Sequence, residues 1–240
     1  MTILRTPQWH GQRLQALSFD LDDTFWEVGP VILHAEHAMY DFLRRSYPGV
    51  TERHSMESMR DLRARLALER PDMRHDFTWL RREALSRHAL EAGYAGSMVD
   101  EAFEVFFTAR NEVRLHEDVV PALEALAARR LRLFVITNGN ADLERIGIAR
   151  FFERVVHARL AGALKPDPAI FSQLLSGTAL APAAVAHVGD DPHADVAGAR
   201  RAGMRSVWLN RGGSSWPVES PGPDHEVRSL ADLESLPGLP

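Results

Sequence analysis

The chain has 240 residues, 45% apolar and 25% charged, with a net charge of −5, which suits one large α/β domain or a core with a smaller second domain and gives no electrostatic basis for binding nucleic acid. It has no cysteine, which excludes disulfides, thiolate catalysis and cysteine-ligated metal. No apolar run approaches the roughly 18 residues of a membrane span, and Met1–Pro7 lacks the apolar stretch of a signal peptide, so a cytoplasmic protein with no membrane partner is expected.

Leu14–Leu21 (LQALSFDL) is a short apolar run ending in acids and predicts a buried parallel strand. From about residue 30 to 114 no strand-like run occurs. Val31–Tyr47, Ser55–Leu68, Thr78–Ala92 and Ser97–Arg114 instead carry spaced apolar residues, punctuated by Gly29-Pro30, Tyr47-Pro48-Gly49 and Arg70-Pro71-Asp72. Beyond them, helical patterns at Asp118–Arg130, Ala141–Ala149, Pro168–Leu175 and Asp195–Ala202 alternate with strand runs at Leu131–Thr137, Arg154–Ala158, Ala184–Gly189 and Arg205–Leu209. That alternation predicts βαβ units in a parallel sheet. Ser214–Asp224 reads as a loop by composition. The expected division is an α/β core of residues 1–27 and 115–240, interrupted by an all-helical insert over 28–114.

Four fragments carry chemistry. In Phe19-Asp20-Leu21-Asp22-Asp23-Thr24 two acids stand two apart at a strand end, where period-two geometry puts both carboxylates on one side, about 6–7 Å apart. Such a pair repels unless a cation intervenes, and Mg²⁺ typically takes one or two carboxylates together with substrate phosphate. Thr137-Asn138-Gly139-Asn140 follows a strand and offers a hydroxyl and free N–H groups to an anion. Lys165 is the only lysine, since the other 27 of the 28 basic residues are arginine. A site that keeps lysine in such a chain wants a compact point charge rather than a planar fork. Gly189-Asp190-Asp191-Pro192-His193-Ala194-Asp195 adds acids after another strand. Strands of a parallel sheet point one way, so all four fragments meet beyond its carboxyl edge.

In this order, Asp20-Leu21-Asp22-Asp23-Thr24, Thr137, Lys165-Pro166 and Gly189-Asp190 with Asp195 resemble the four motifs of the haloacid dehalogenase-like hydrolase superfamily, and the helical insert resembles its type-1 cap. The resemblance implies a doubly wound, Rossmann-like α/β core with a helical cap domain, and a Mg²⁺-dependent phosphatase acting on a small phosphorylated metabolite. It implies Asp20 as the nucleophile that forms an aspartyl-phosphate and Asp22 as the acid and base. Thr137 and the Asn138 amide would hold the phosphoryl group, and Lys165 would neutralise both Asp20 and that group. Asp20, the Asp22 carbonyl and Asp190 would be metal ligands, with Asp195 in support and Asp191 as an alternative ligand. An acid at Asp22 points to phosphoryl transfer, because carbon–halogen cleavage needs no leaving-group proton. Phe19–Leu33, His75-Asp76-Phe77-Thr78, Ile136–Asn140 and His187–Asp191 further resemble the flavin-pathway phosphatases of this superfamily, which act on flavin mononucleotide and the phosphoribitylamino-uracil precursor of riboflavin. Phe25 stands where leucine is commoner.

Substrate choice is left to weaker candidates. Trp26 either stacks on a planar substrate ring or packs under the cap. His75 either reaches the site or, with Asp76 as an N-cap, starts a helix. Arg81 and Arg82 either grip a polar substrate group or form a solvated helix face. His34, Glu36 and His37 lack the HExxH spacing of a zinc site. The alternatives to a phosphatase are a phosphosugar mutase of the same superfamily and a non-catalytic binding protein that keeps the fold.

Overall fold

Residues 13–217 and 222–240 are described by a computed structural model. In it, six strands form one parallel sheet: β1 (Ala16–Phe19), β2 (Arg132–Thr137), β3 (Arg154–His157), β4 (Val185–Gly189), β5 (Arg205–Leu209) and β6 (His225–Val227). Their order is β3-β2-β1-β4-β5-β6. The strands β1, β2, β4 and β5 are almost wholly buried on both faces, which is why they read as mostly apolar runs. Phe134, Ile136 and Val156 on one face pack against Ile170, Phe171 and Leu174 of the helix Pro168–Leu175. Asp167 starts that helix by accepting the Ala169 N–H at 2.9 Å.

Register fixes where the acids emerge. Phe19 pairs with Val135 on one side and Val188 on the other, and the Asp20 N–H donates to the Val188 carbonyl at 2.9 Å. Asp20 is therefore the first residue past the strand. It stands where the chain passes from β1 to β2 on one side and later returns from β3 to β4 on the other, the place where such sheets open a crevice.

The four strands expected after the insert are present. β6 is not expected, because three residues (HEV) are too few to show a period. The helix expected over Ala141–Ala149 contracts to Leu143–Ile146. Asp142 accepts the Glu144 N–H and so starts the turn late, and Gly147 at φ +86° ends it early. The helix expected over Asp195–Ala202 begins sooner, as a π-helical stretch over Pro192–Ala197 that continues into Gly198–Arg201. Within the expected loop Ser214–Asp224, residues 218–221 lie outside the described residues. No described helix is long and apolar enough to cross a membrane.

The chain divides into two compact units. The α/β unit holds the described residues up to Trp26, Leu115–Gly139 and those from Gly147 onward; the helical unit holds Glu27–Arg114 and Asn140–Ile146. The helical unit contains Val28–Ser46, Pro48–Thr51, Met56–Glu69, Phe77–Glu91 and Ser97–Arg110. Ser55 and Asp76 cap two of these helices by accepting the N–H groups of Ser58 and Trp79. Ala35, Met39, Leu43, Met98, Ala102 and Phe106 belong to its apolar core. Buried beside that core is one carboxylate, Glu36, which takes Arg60 and Arg63 at 2.5 Å and Arg81 at 3.5 Å. Burial would raise the Glu36 pKa, but Arg63, Arg60 and Arg81 outweigh it and hold the carboxyl below its usual range.

Glu36→Gln removes the one anion among these guanidinium groups. Breaking a fully buried pair costs about 3–5 kcal/mol. Arg60 is 42% exposed, so solvent recovers part of the loss, and the expected destabilisation is about 2 kcal/mol. Urea unfolding of the two proteins measures it. A loss under about 0.5 kcal/mol would mean that the arginines are solvated well enough not to need Glu36.

Candidate active site

Beyond β1 the chain folds at once into a tight turn. The N–H groups of Thr24 and Phe25 donate to the Leu21 carbonyl, and that of Asp23 donates to the Trp26 carbonyl. Asp23 takes the left-handed φ of +60° that this turn requires. Asp22 forms an isolated bridge with Trp26, and its charge adds to those that raise the Asp20 pKa. The Asp22 carboxylate accepts the Trp26 Nε1–H at 2.9 Å. Thr24 donates its hydroxyl to Asp190 Oδ1 at 3.2 Å, tying the first motif to the last.

A buried polar row runs through the sheet to the crevice. Ser18 and His187 are direct partners in the β1–β4 register. The Ser18 hydroxyl lies 2.9 Å from His187 Nδ1, and His187 Nε2 lies 3.1 Å from Asp195 Oδ1. Burial lowers the His187 pKa, and a neutral ring satisfies both contacts when Nε2–H donates to Asp195 and Nδ1 accepts from Ser18. Lys165 Nζ then bridges Asp195 Oδ1 at 2.6 Å and Asp20 Oδ1 at 2.5 Å. Lys165 is only 5% exposed. Its loop is held from β2: Asn138 Oδ1 accepts the Lys165 N–H at 2.7 Å, and Asn138 Nδ2 donates to the Lys165 carbonyl at 3.3 Å. The approach of Asp195 to β4 depends on Gly189, because a side-chain carbon there would collide with the Asp195 carboxylate.

The electrostatics follow from counting charges. Burial disfavours charge on both Lys165 and Asp195. Asp195 and Asp20 nevertheless hold the Lys165 pKa above its ordinary value, while Lys165 and His187 hold Asp195 well below the usual carboxylate range. One ammonium cannot neutralise two carboxylates, and the surplus falls on Asp20. Burial, reinforced by Asp195 and Asp22, raises Asp20 against the pull of Lys165. Asp190 is pushed up to about 7 by burial, with Asp195 and Asp23 adding to it.

Carboxylate oxygens of Asp20, Asp190 and Asp195 lie within 4.8 Å of one another. Both Asp195 oxygens are already engaged, Oδ1 by Lys165 and His187 and Oδ2 by the Asp191 N–H at 3.0 Å. That leaves Asp20 and Asp190 to face a cation. An all-oxygen, anionic set with surplus negative charge suits a hard divalent ion. The structure does not bring Asp191 into the set. Its carboxylate accepts the N–H groups of His193 and Ala194 and caps the π-helical stretch. Thr137 lies at the carboxyl end of β2, where its oxygen accepts the Gly139 N–H at 3.0 Å and its own O–H remains to donate.

Among the substrate-choice candidates, Trp26 is fully buried, edge-on to Phe25, so it packs and has no face to offer a ring. Arg81 is buried in the helical unit, on Glu36 and 3.4 Å from the Phe106 ring centroid; it is a structural cation of that core. Arg82 pairs with Asp100. His75 is half-buried in the turn before Phe77–Glu91, and Asp76 is that helix's N-cap. The sequence reading assigns no role to Ser18, or to His187 by itself. Their signal is a polar residue in the middle of each of two otherwise apolar strands, and only the register shows that the two are neighbours.

The chain is similar to known proteins over most of its length. Over 232 residues the chain is 31% identical to the 5-amino-6-(5-phospho-D-ribitylamino)uracil phosphatase YigB of Escherichia coli K12, covering 93% of this chain and 96% of that one. It is 40% identical over 158 residues to a phosphoserine phosphatase of Thermus thermophilus, covering 63% of each. A crystal structure described as a 2-haloacid dehalogenase from Pseudomonas syringae pv. Tomato superposes with a TM-score of 0.87 at 39% identity, over 92% of this chain and 97% of that one. The haloacid dehalogenase-like hydrolase model matches residues 14–203, and the chain belongs to that family.

Proposed function

We propose that this protein is a Mg²⁺-dependent phosphatase that hydrolyses a small phosphomonoester metabolite through an aspartyl-phosphate on Asp20. The observation that carries the reading is the pairing of Asp20, held 2.5 Å from Lys165 Nζ, with a second acid two residues on. In this reading a carboxylate oxygen of Asp20 attacks phosphorus, and the bond from phosphorus to the ester oxygen breaks. Asp22, steadied by Trp26, gives its proton to the leaving oxygen. It then takes a proton from the water that attacks the acyl phosphate, releasing inorganic phosphate and restoring Asp20. Lys165 carries charge beside the phosphoryl group, and the Thr137 hydroxyl and Asn138 N–H donate to its oxygens. Asp20, Asp190 and the Asp22 carbonyl would hold Mg²⁺, which would supply the positive charge that Lys165 cannot provide to all three carboxylates. The helical insert over residues 28–114, which makes up most of the helical unit, is assigned as the substrate-selecting cap. A cytoplasmic setting is part of the same proposal.

The names of the relatives set the first substrates to try: 5-amino-6-(5-phospho-D-ribitylamino)uracil, flavin mononucleotide and phosphoserine. A second reading, haloacid dehalogenase, is favoured by the Pseudomonas syringae structure, but it leaves Asp22 without a task, since a halide leaves unprotonated. The deciding experiment measures phosphate release from these esters and an aryl phosphate, and halide release from a 2-haloacid, for wild type and Asp20→Asn. Phosphate release that falls by at least about 10³-fold in the variant, with no halide release, is expected. Halide release alone, or a variant as active as wild type, overturns the reading.

Lys165→Arg tests the point charge. The planar fork cannot stand 2.5 Å and 2.6 Å from two carboxylates in the space of an ammonium. A misplacement of about 1 Å costs on the order of 10²-fold in rate, so kcat/KM should fall by at least that much with little change in Tm. A loss below about threefold would mean that the lysine is incidental.

The metal is tested by its pH linkage. Asp190 rises from 3.8 unfolded to about 7 folded, so folding without metal takes up a proton there. The stability that proton contributes is full below the unfolded value and is lost as pH rises through about 7. A cation takes the proton's place above that range. The gain in Tm on adding Mg²⁺ should therefore be small near pH 5.5 and larger near pH 8, and should shrink in Asp190→Asn. No gain at either pH, or activity undiminished by exhaustive chelation, removes Mg²⁺ from the site, and a gain independent of pH removes Asp190 from its ligands.

A further inference from the structure

The helical unit holds a second group of metal-competent side chains. His54 lies in the turn after Pro48–Thr51, and its backbone is pinned on both sides. Its N–H donates to the Val50 carbonyl at 2.9 Å, and its carbonyl accepts the Tyr40 hydroxyl at 3.2 Å. His88 and Glu91 lie near the end of the helix Phe77–Glu91; their spacing of three puts them on one face. The rings of His54 and His88 have centroids 4.1 Å apart, and His54 Nε2 lies 3.0 Å from Glu91 Oε2. One ligand atom from each of the three falls within 4.8 Å of the other two.

His88 makes this group unusual. It is 2% exposed, and neither of its ring nitrogens has a hydrogen-bond partner among the described residues. His54 Nε2, although close to Glu91, does not meet hydrogen-bond geometry with it either. Buried polar atoms left unsatisfied cost about 1–3 kcal/mol each, and in native proteins they call for a specific explanation. Burial, with His54 beside it, pushes the His88 pKa down to about 4, so at neutral pH the ring keeps a lone pair for a ligand.

We propose that His54, His88 and Glu91 bind one Zn²⁺ ion, at a site separate from the carboxylate cluster of the α/β unit. Two imidazole nitrogens and one carboxylate form a donor set for a borderline-soft transition ion, whereas Mg²⁺ prefers oxygen alone. In a tetrahedral site with bonds of about 2.0–2.1 Å the ligand atoms stand roughly 3.3 Å apart. His54 and Glu91 already meet that spacing, and the Glu91 side chain, 57% exposed, has the freedom to close on His88. Arg65 also acts on His88 and disfavours a cation, which the Glu91 carboxylate offsets. The ion would tie the turn holding His54 to the helix Phe77–Glu91.

The experiment is a Zn²⁺ titration by equilibrium dialysis with metal analysis, on full-length protein carrying Asp190→Asn to weaken the carboxylate cluster. One equivalent of Zn²⁺ is expected, together with a rise in Tm. Adding His54→Gln, or Glu91→Gln, should weaken binding at least tenfold. Both positions are at least partly exposed, and their Tm without metal shows whether the fold is kept. Co²⁺ in place of Zn²⁺ should give the visible absorption of a low-coordinate, nitrogen-ligated ion, and His54→Gln should abolish it. His88→Gln should abolish binding if it folds, and the other two variants decide the matter if it does not. No bound Zn²⁺, or binding unchanged in both His54→Gln and Glu91→Gln, overturns the proposal. Neither result bears on hydrolysis at Asp20.

Discussion

One ammonium group shared between two buried carboxylates constrains the α/β unit more than any other interaction. Lys165 Nζ stands 2.5 Å from Asp20 and 2.6 Å from Asp195, with all three side chains almost out of contact with water. Desolvating three charges costs several kcal/mol per ion, and the geometry must be good for their attraction to repay it. That requirement explains the surrounding architecture. Asn138 clamps the backbone of Lys165, Gly189 leaves room for Asp195, and the Asp191 N–H takes the remaining Asp195 oxygen. Each of these residues lies at or just beyond a strand end, or in a loop that reaches one, so the sheet register sets their mutual distances.

The helical unit solves the opposite problem. There one carboxylate, Glu36, answers for several guanidinium groups, and the surplus is positive. The outcome differs because the groups differ. Arginine spreads its charge over a planar fork, is weakly hydrated and stacks on aromatic rings, as Arg81 does on Phe106. A surplus of arginine can thus be absorbed by packing and by partial exposure. Carboxylates have no such outlet. Their surplus appears as raised pKa values at Asp20 and Asp190, which a proton or a cation must relieve.

How much of this was legible in the sequence depended on whether a feature is local. The strand runs and the acids at their ends are local, so the parallel sheet and Asp20, Lys165, Asp190 and Asp195 could be read directly. Asp22 is legible as an acid near Asp20, but its contact with the Trp26 indole needs the turn that folds back on Leu21. Asp191 looked like a ligand because it adjoins Asp190, yet a helix start claims its carboxylate. Arg81 and Trp26 looked available because sequence does not say which way a side chain faces, and both are buried. The pairing of Ser18 with His187 needs a register between strands 169 residues apart. His54, His88 and Glu91 converge only once the helices pack.

The row from Ser18 through His187, Asp195 and Lys165 to Asp20 also argues about purpose. Replacing buried ion pairs by well-packed apolar side chains is often neutral or stabilising, and this row lies beside a face lined by Phe134, Ile136 and Phe171, so stability alone does not account for it. Its two ends are unlike. At Ser18 it finishes inside the sheet with its hydrogen bonds satisfied. At Asp20 it finishes at the carboxyl edge with negative charge to spare, beside Asp190. A row built only to hold the fold would be satisfied at both ends. One that fixes a carboxylate in place and leaves its charge incompletely neutralised is suited to orienting Asp20 toward something that arrives from outside the protein.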